Sequence, residues 1–548
     1  MKKLLFLILA ASLAFSLCGC GSSTVESPQE SATTTAATTT AVTTTEATTH
    51  EYYITSWMDD DGYIQYYEEF EDGSTMQYSK SPDIQTYEEI QAAYPDKTVL
   101  VIACIGSNRY CYITEAVNEY LCELGKDYVI CFEFTETNAV YSDYCSTVGL
   151  ADWYSGLKEK VDSGVQIDII STANYYHAIR DDLLLPLDDY LENTEVGQTL
   201  YNMMPENLWK AYRYNGTIYG INCNGSIKFT HLYYIDAALA DEYGYDFSKS
   251  FTEQIDLLET IQEERVSKAV YSGFSSLLVD TSYDKTELTS GVYWDSENKT
   301  AISWLDDEDY ISILKTAFTL YNENLLTTAY TTSYFALDCI VEYPPESGEL
   351  FNHWADTDIE TGEPIYKQVY AVYDDSQPVL TRDMTFCYAL GVSSTSENQD
   401  MAFDFIATML TDEELNKRMC YADYESEMYS DGRISSSAYY FSYEQFANLL
   451  LSIPTTRQPS NIAEVYRTSL EEAYVNEDFD FVFDNSEVYQ QCVDVLGVMG
   501  EMTYNQLTEY TDFDEYLSDF RTLLEEAGIN DIIAEANRQY AEWKESQS

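Results

Sequence analysis

Between residues 98 and 170 the sequence alternates short apolar runs with amphipathic segments, and this alternation constrains the fold more than any other feature. Three runs are mostly apolar, as in parallel strands buried on both faces: 98–104, 128–134 and 167–170. Two segments between them have the apolar spacing of helices: 112–124 and 153–161. This order predicts an α/β fold with a doubly wound sheet. No G-x-G-x-x-G follows the first run, so the dinucleotide-binding fingerprint is absent.

The first twenty residues have the pattern of an export signal. Lys2 and Lys3 precede an apolar run from Leu4 to Leu17, which is short for a membrane span. The run leads into Cys18-Gly19-Cys20, which resembles the bacterial lipobox. The resemblance implies a signal peptide of residues 1–19 and a lipid on Cys20. Such a lipid anchors the protein to the cell membrane, facing the extracellular side. The alternative is an ordinary signal peptide with incidental cysteines.

Two segments of different character follow the signal. Residues 20–50 are rich in Thr triplets and have no apolar period, so we expect the lipidated Cys and a flexible tether. Residues 52–96 contain alternating segments at 63–67 and 75–78 beside Asp-Gly turns, which predict a small β-meander.

The composition limits the partners of the protein. Asp and Glu number 95 against 28 Lys and Arg, for a formal net charge of −67. Such a charge opposes nucleic-acid binding and excludes an anionic polymer as ligand. A hydrophobic share of 45% is too high for a disordered acidic chain. The four His residues lack a metal-ligand spacing, so we expect neither a metal site nor a cofactor.

The cysteines beyond Cys20 have two interpretations. Several lie inside apolar runs, which favours buried thiols: Cys104, Cys131, Cys223 and Cys387. Disulfides are the alternative in an exported protein, and their pairing cannot be deduced from the sequence.

A series of motifs then resembles one known family. Residues 163–170, Ser-Gly-Val-Gln-Ile-Asp-Ile-Ile, are similar to the SGxxPDII element of extracellular solute-binding proteins of ABC importers. Further segments resemble elements of the same family in the same order, with a lipoprotein-type tail: 184–190, 214–221, 233–244, 390–414, 424–434, 480–484 and 513–543. Departures from the family pattern at Asn222, Asp236 and Ala237 mean that a ligand cannot be carried over from other members.

The resemblance implies a periplasmic-binding-protein-like fold, in which two doubly wound α/β lobes flank a cleft and are joined by a hinge. Lobe 1 would comprise residues 97–222 plus 385–450, and lobe 2 residues 230–380 plus 460–545. A small solute, with an oligosaccharide as the favoured class, would bind in the cleft and pass to ABC permease subunits. A monomer without catalytic activity is implied.

Candidate ligand-binding residues follow strand ends, lie at the expected lobe crossing or offer aromatic platforms. Aromatic rings stack on sugar faces, and amides and charged groups match hydroxyls. The candidates are Asn108, Arg109, Trp153, Asn174, Tyr175, Tyr176, Asn222, Asn224, Trp304 and Trp354. For each, the alternative is a packing, capping or turn role, since Tyr and Trp are abundant throughout the chain.

Two other functions fit the sequence. A cell-surface receptor or adhesin without transport would use the same anchor and tether, with the meander as a recognition module. A glycoside hydrolase would need two carboxylates across a cleft. A chain with so many acidic residues always supplies such pairs, so they carry no weight.

Overall fold

The structure is a computed structural model. It describes residues 38–39, 53–58, 64–69, 75–80, 86–104, 111–134, 156–172, 175–221, 227–228, 233–249, 254, 257, 260–261, 271–272, 285–322, 326–327, 350–357, 364–372, 379–380, 389–421, 428–430, 432–434, 446–455, 458, 460–502 and 509–547.

The described strands and helices alternate along much of the chain. The strands are β1 Thr38–Thr39, β2 Tyr53–Met58, β3 Ile64–Glu69, β4 Thr75–Lys80, β5 Thr98–Cys104, β6 Tyr128–Phe134, β7 Ile169–Thr172, β8 Arg213–Tyr214, β9 Thr217–Ile218, β10 Ile227–Lys228, β11 Tyr233–Asp236, β12 Tyr271–Ser272, β13 Lys285–Thr289, β14 Val292–Asp295, β15 Thr300–Ser303, β16 Leu326–Thr327, β17 Leu350–Thr357, β18 Pro364–Val372, β19 Val379–Leu380 and β20 Ala389–Val392. The helices are α1 Tyr87–Ala93, α2 Cys111–Glu123, α3 Tyr175–Arg180, α4 Asp188–Asn193, α5 Glu195–Met203, α6 Glu206–Tyr212, α7 Ala237–Tyr243, α8 Glu308–Asn322, α9 Gln399–Thr411, α10 Glu413–Cys420, α11 Ile462–Glu472, α12 Tyr489–Gly500, α13 Phe513–Ala527 and α14 Ile529–Ser546. Residues 156–162 are also helical.

The N-terminal strands form a small antiparallel sheet in the order β1-β2-β3-β4. Strands β2, β3 and β4 lie in the segment where the sequence predicts a β-meander, and Tyr66 pairs with Ser56 on one side and Tyr78 on the other. The predicted tether needs one correction, because Thr38–Thr39 pairs with Thr55 and Ser56 as a short strand. The rest of the predicted tether and the signal peptide lie outside the described residues.

A four-stranded sheet in the order β20-β7-β5-β6 forms the centre of the first core. Strands β5, β6 and β7 are parallel, as their apolar runs predict, and β20 is antiparallel to β7. Alternate residues of β5 face opposite sides: Leu100 and Ile102 enter the main core, whereas Val99 and Val101 pack with Ile90 of α1. Both faces of the sheet are thus buried, which explains why the runs are continuously apolar.

A buried carboxylate ties the strands of this sheet together. Asp168 accepts hydrogen bonds from Val101 N (2.9 Å), Gln166 Nε2 (2.8 Å), Ser396 Oγ (2.6 Å) and Asn398 Nδ2 (3.1 Å). These donors come from β5, from the segment before β7 and from the segment after β20. Asp168 therefore links the segment after β20 to β5 and β7, although β20 is far from these two strands in the sequence.

The second core is built on different strands. The antiparallel sheets β13-β14-β15 and β11-β18-β17 contribute to it, and β12 pairs in parallel with β16. Trp294 of β14 packs against Phe481 and Tyr540, and α12, α13 and α14 close over these side chains. The elements around each core are called the first lobe and the second lobe below.

The predicted lobe boundaries are wrong in one region. Residues 460–545 were assigned to lobe 2, but Ile462, Tyr466 and Leu470 of α11 are buried in the first core. Leu380, which was also assigned to lobe 2, is buried there too. Asn207 of α6 holds α11 by donating to the carbonyl of Leu470 at 2.8 Å.

Five of the described cysteines are free thiols: Cys104, Cys122, Cys131, Cys420 and Cys492. Cys104 and Cys131 are buried, as their apolar runs predict, and Cys420 is buried as well. Burial raises the pKa of Cys104 and of Cys420. Cys223 and Cys387 lie outside the described residues.

A second buried carboxylate holds the C-terminal helix in the second lobe. Asp478 accepts hydrogen bonds from Trp294 Nε1 (3.2 Å), Lys299 Nζ (2.8 Å) and Tyr540 OH (2.9 Å). Burial raises the pKa of this carboxyl, but the donors from Lys299, Trp294 and Tyr540 outweigh it and hold the pKa below its usual range.

We predict that Asp478→Asn lowers the free energy of unfolding at pH 7 by about 2 kcal/mol, because charged-acceptor hydrogen bonds are lost inside the protein. The folded-state pKa is depressed, so this contribution is present above the unfolded pKa of about 3.9 and is lost as pH falls through the folded pKa. The gap between wild-type and variant melting temperatures should therefore narrow between pH 5 and pH 3. The control is Asp127→Asn, whose side chain is 90% exposed. A gap that stays constant down to pH 3 would contradict the assigned role.

Candidate functional site

The chain passes between the two cores three times. Ile221 lies in the first core and Ile235 in the second. The chain returns between Val369, which is buried beside the second core's strands, and Ala389 of the first core. The third crossing is the short segment 479–484. The three interlobe passages are thus far apart in the sequence, and together they form the covalent connection between the lobes.

The first and second crossings are hydrogen-bonded to each other. Strand β10, in the first crossing, pairs antiparallel with β19 at the end of the second, with Ile227 opposite Leu380. Leu380 N then donates to Tyr474 O, in the segment that precedes the third crossing, at 2.9 Å. These backbone groups are therefore satisfied by partners far away in the sequence, as polar groups withdrawn from water require.

The third crossing alternates between the two cores. Phe479 is buried in the first core and Val482 packs against it, whereas Phe481 and Phe483 are buried in the second core. An extended segment directs successive side chains to opposite sides, so the Phe-Val-Phe pattern fills both lobes at once.

Tyr175 fixes the base of the first crossing. It begins α3, directly after the carboxyl end of β7, and its hydroxyl donates to Tyr212 O at 2.8 Å. The same oxygen accepts from Tyr219 N (3.0 Å) and Gly220 N (3.1 Å). One side chain thus organises the backbone that leads into Ile221, which exchanges two 2.9 Å backbone hydrogen bonds with Leu390.

The prediction that Tyr175 and Tyr176 contact ligand from a loop needs correction. Both lie in helix α3, and both are buried in the first core. Their rings meet edge to face with centroids 5.3 Å apart. The apolar rings pack below the crossing, which was the alternative that the sequence left open.

The other candidates are distributed across the chain. Trp304 lies at the edge of the second core, where its ring stacks on Tyr293 with centroids 4.7 Å apart and meets Tyr310 edge-on. This is a packing contact within one lobe. Trp354 lies in β17, next to a bulge between Trp354 and Asp356. Six candidates lie outside the described residues: Asn108, Arg109, Trp153, Asn174, Asn222 and Asn224.

The structure also contains an ion pair that the sequence did not predict. Arg180, at the end of α3 in the first lobe, forms an ion pair with Asp484 at the end of the third crossing. Burial lowers the pKa of the adjacent His177, and Arg180 lowers it further, while Asp484 and Asp181 oppose this change. Asp484 ends the Phe-Val-Phe-Asp pattern of residues 481–484, but nothing in this pattern identifies Arg180 as the partner of Asp484.

Two kinds of feature are absent from the described residues. No cluster of three or more His, Cys, Asp or Glu residues suited to a metal ion occurs among them. Within the same part of the chain, no helix has the length and apolar character needed to cross a bilayer.

Comparisons with known proteins support the architecture. Residues 479–545 match a family model described as "Domain of unknown function (DUF3502)". No curated protein matches the sequence. Several solved structures do match, among them three of the N-glycan transport solute binding protein NgtS from Streptococcus pneumoniae.

For the complex of that protein with Man1GlcNAc, the sequence identity is 15%, the match covers 81% of this chain and 99% of the matched chain, and the TM-score is 0.53. For the complex with Man5GlcNAc, the identity is 15%, the match covers 82% of this chain and 100% of the matched chain, and the TM-score is 0.53. For a third structure, the identity is 14%, the match covers 82% of this chain and 100% of the matched chain, and the TM-score is 0.56. At these identities the likeness shows the fold alone: the chain has the α/β, periplasmic-binding-protein-like fold of extracellular solute-binding proteins, as its motifs predict.

Close glycine packing at the base of the crossings gives a test of this arrangement. A Cβ on Gly391 of β20 would lie 2.8 Å from Tyr219 O and 2.8 Å from Leu184 Cδ2. We predict that Gly391→Ala destabilises the protein by about 2 kcal/mol, because the added methyl forces β20 away from the first crossing.

The measurement is chemical denaturation of the full chain, with Gly497→Ala in α12 as the matched control. No atom lies within 4 Å of a Cβ at Gly497, so the control should gain about 0.5–1 kcal/mol from helix propensity. Equal stability of Gly391→Ala and wild type would show that β20 and the crossing are not packed this tightly.

Proposed function

We propose that the protein is an extracellular solute-binding protein that captures an oligosaccharide between its lobes and delivers it to an ABC permease. The observation that carries this proposal is the pair of separate cores joined by three chain crossings. Its fold matches, over nearly the whole length of the matched chain, a protein whose solved complexes hold Man1GlcNAc and Man5GlcNAc. The sequence motifs point to the same family.

The proposed mechanism is hinge closure. The three crossings are the segments that absorb a change in lobe orientation, while the buried networks of Asp168 and Asp478 keep each lobe rigid. A solute that contacts both lobes stabilises the closed arrangement by its differential affinity for it. The closed form then presents a single surface to the permease. The protein would act as a monomer and would not transform its ligand.

The chemistry of the ligand is limited by charge. A net charge of −67 repels polyanions, whereas a neutral oligosaccharide approaches without an electrostatic penalty. Neutral sugars bind through aromatic faces and through hydrogen bonds to amides and carboxylates. Asn108, Arg109, Trp153, Asn174, Asn222, Asn224 and Trp354 stay our candidates for these contacts.

We predict that Man5GlcNAc or a related neutral oligosaccharide raises the melting temperature, because a ligand that binds only the folded state stabilises it by mass action. At a concentration one hundred times the Kd, the gain in unfolding free energy is about 2.7 kcal/mol. Differential scanning fluorimetry followed by isothermal titration calorimetry provides the measurement, with peptides and a polyanionic oligosaccharide as controls.

A shift with peptides but with no sugar would contradict the carbohydrate assignment. Turnover of a chromogenic glycoside, abolished by one Asp or Glu substitution, would identify a hydrolase instead. A receptor without transport would bind the same sugars but would not stimulate the ATPase of the reconstituted permease.

We also propose that a lipid on Cys20 anchors the protein to the outer face of the cell membrane, with the Thr-rich segment as spacer. We predict that Cys20→Ala moves the protein from the membrane fraction to the medium or the soluble fraction, since no acyl chain is then attached. Cys18→Ala is the matched control, because its neighbour Leu17 fits the lipobox less well than Gly19 does, and it should stay in the membrane fraction. Release by Cys18→Ala and retention by Cys20→Ala would reverse the assignment.

A further inference from the structure

The lobes make a direct charged contact close to the third crossing. Arg180 is the last residue of α3, whose buried residues belong to the first core. Asp484 directly follows Phe483, which is buried in the second core. The guanidinium and the carboxylate form an ion pair, with side chains 22% and 39% exposed. The pair therefore joins the two lobes beside the third crossing.

The second lobe holds Asp484 in place. Gln539 of α14 accepts from Asp484 N at 2.8 Å and donates to Asp484 O at 2.7 Å, so one amide fixes both backbone groups. Ser486 N donates to Asp484 Oδ1 at 3.1 Å, which leaves Oδ2 for Arg180. The carboxylate is thus anchored on its own lobe before it meets the other.

The electrostatic state of Asp484 fits this arrangement. Burial raises its pKa, but hydrogen bonds from Ser486 and the charge of Arg180 outweigh that effect and lower it. The carboxylate is ionised at neutral pH, so the contact is an attraction between full charges. Such an attraction weakens steeply when a rotation of one lobe separates the groups by several ångströms.

We infer that Arg180 and Asp484 form an interlobe latch that stabilises the relative arrangement of the lobes described here. Any ligand that favours another arrangement has to break the latch, so its strength sets part of the opening and closing equilibrium. This consequence for solute capture rests on the proposed function, whereas the latch itself does not.

The test measures lobe separation in the full-length protein without ligand. Fluorophores attached to ketone-bearing residues at the exposed positions Asp127, in the first lobe, and Glu526, in the second, report the interlobe distance by single-molecule energy transfer. We expect Arg180→Gln and Asp484→Asn each to lower the ratio of the described arrangement to the others by about fivefold, the size of a partly exposed ion pair. The charge reversal Arg180→Asp with Asp484→Arg should restore the ratio.

Two controls separate the latch from a general loss of stability. Lys158→Gln removes an exposed ion pair with Asp162 that lies within the helical segment 156–162, so it should leave the interlobe distance unchanged. Raising the salt concentration on the wild-type protein should weaken the latch without any substitution, since both groups are partly exposed. The salt dependence of the wild-type protein still tests the latch if a variant fails to fold.

Folded variants with the wild-type distance distribution would overturn the inference, as would a salt-independent distribution in the wild type. Failure of the latch test leaves the oligosaccharide assignment standing, because no ligand is present. Conversely, a lack of thermal shift with sugars leaves the latch intact.

Discussion

The structure depends on one constraint: a chain that builds two apolar cores must connect them with backbone that belongs to neither. Polar backbone groups withdrawn from water need partners, and the first two crossings supply them to each other through the β10–β19 pairing. A further hydrogen bond from Leu380 N to Tyr474 O joins the second crossing to the segment that precedes the third. The lobes are consequently linked by three chain segments.

Buried polar side chains hold the elements of each lobe together. Asp168 gathers donors from three parts of the first lobe, and Asp478 gathers donors from β14, Lys299 and α14 in the second. The hydroxyl of Tyr175 likewise forms three hydrogen bonds with backbone groups of Tyr212, Tyr219 and Gly220, at the base of the first crossing. Fully satisfied networks of this kind specify a single packing, because each unsatisfied alternative is costly.

Charge acts at two levels in this protein. The large negative net charge keeps the surface soluble and repels polyanions over long distances. Over short distances, some of the few basic residues connect distant segments, as Lys299 does with Asp478 and Arg180 with Asp484. Net charge thus limits the class of ligand, whereas individual ion pairs determine how the parts of the chain are held together.

The sequence alone determined the local elements. The apolar runs of β5 and β6, the helix α2 and the meander of β2, β3 and β4 were predictable because neighbouring residues decide these patterns. The order of family motifs also predicted the two-lobed fold. Only the tertiary structure decided that β20 joins β7, that α11 packs in the first core, that Tyr175 and Tyr176 are buried, and that Arg180 meets Asp484. Each of these depends on contacts between residues far apart in the chain, and no periodicity or composition encodes which distant partners will meet.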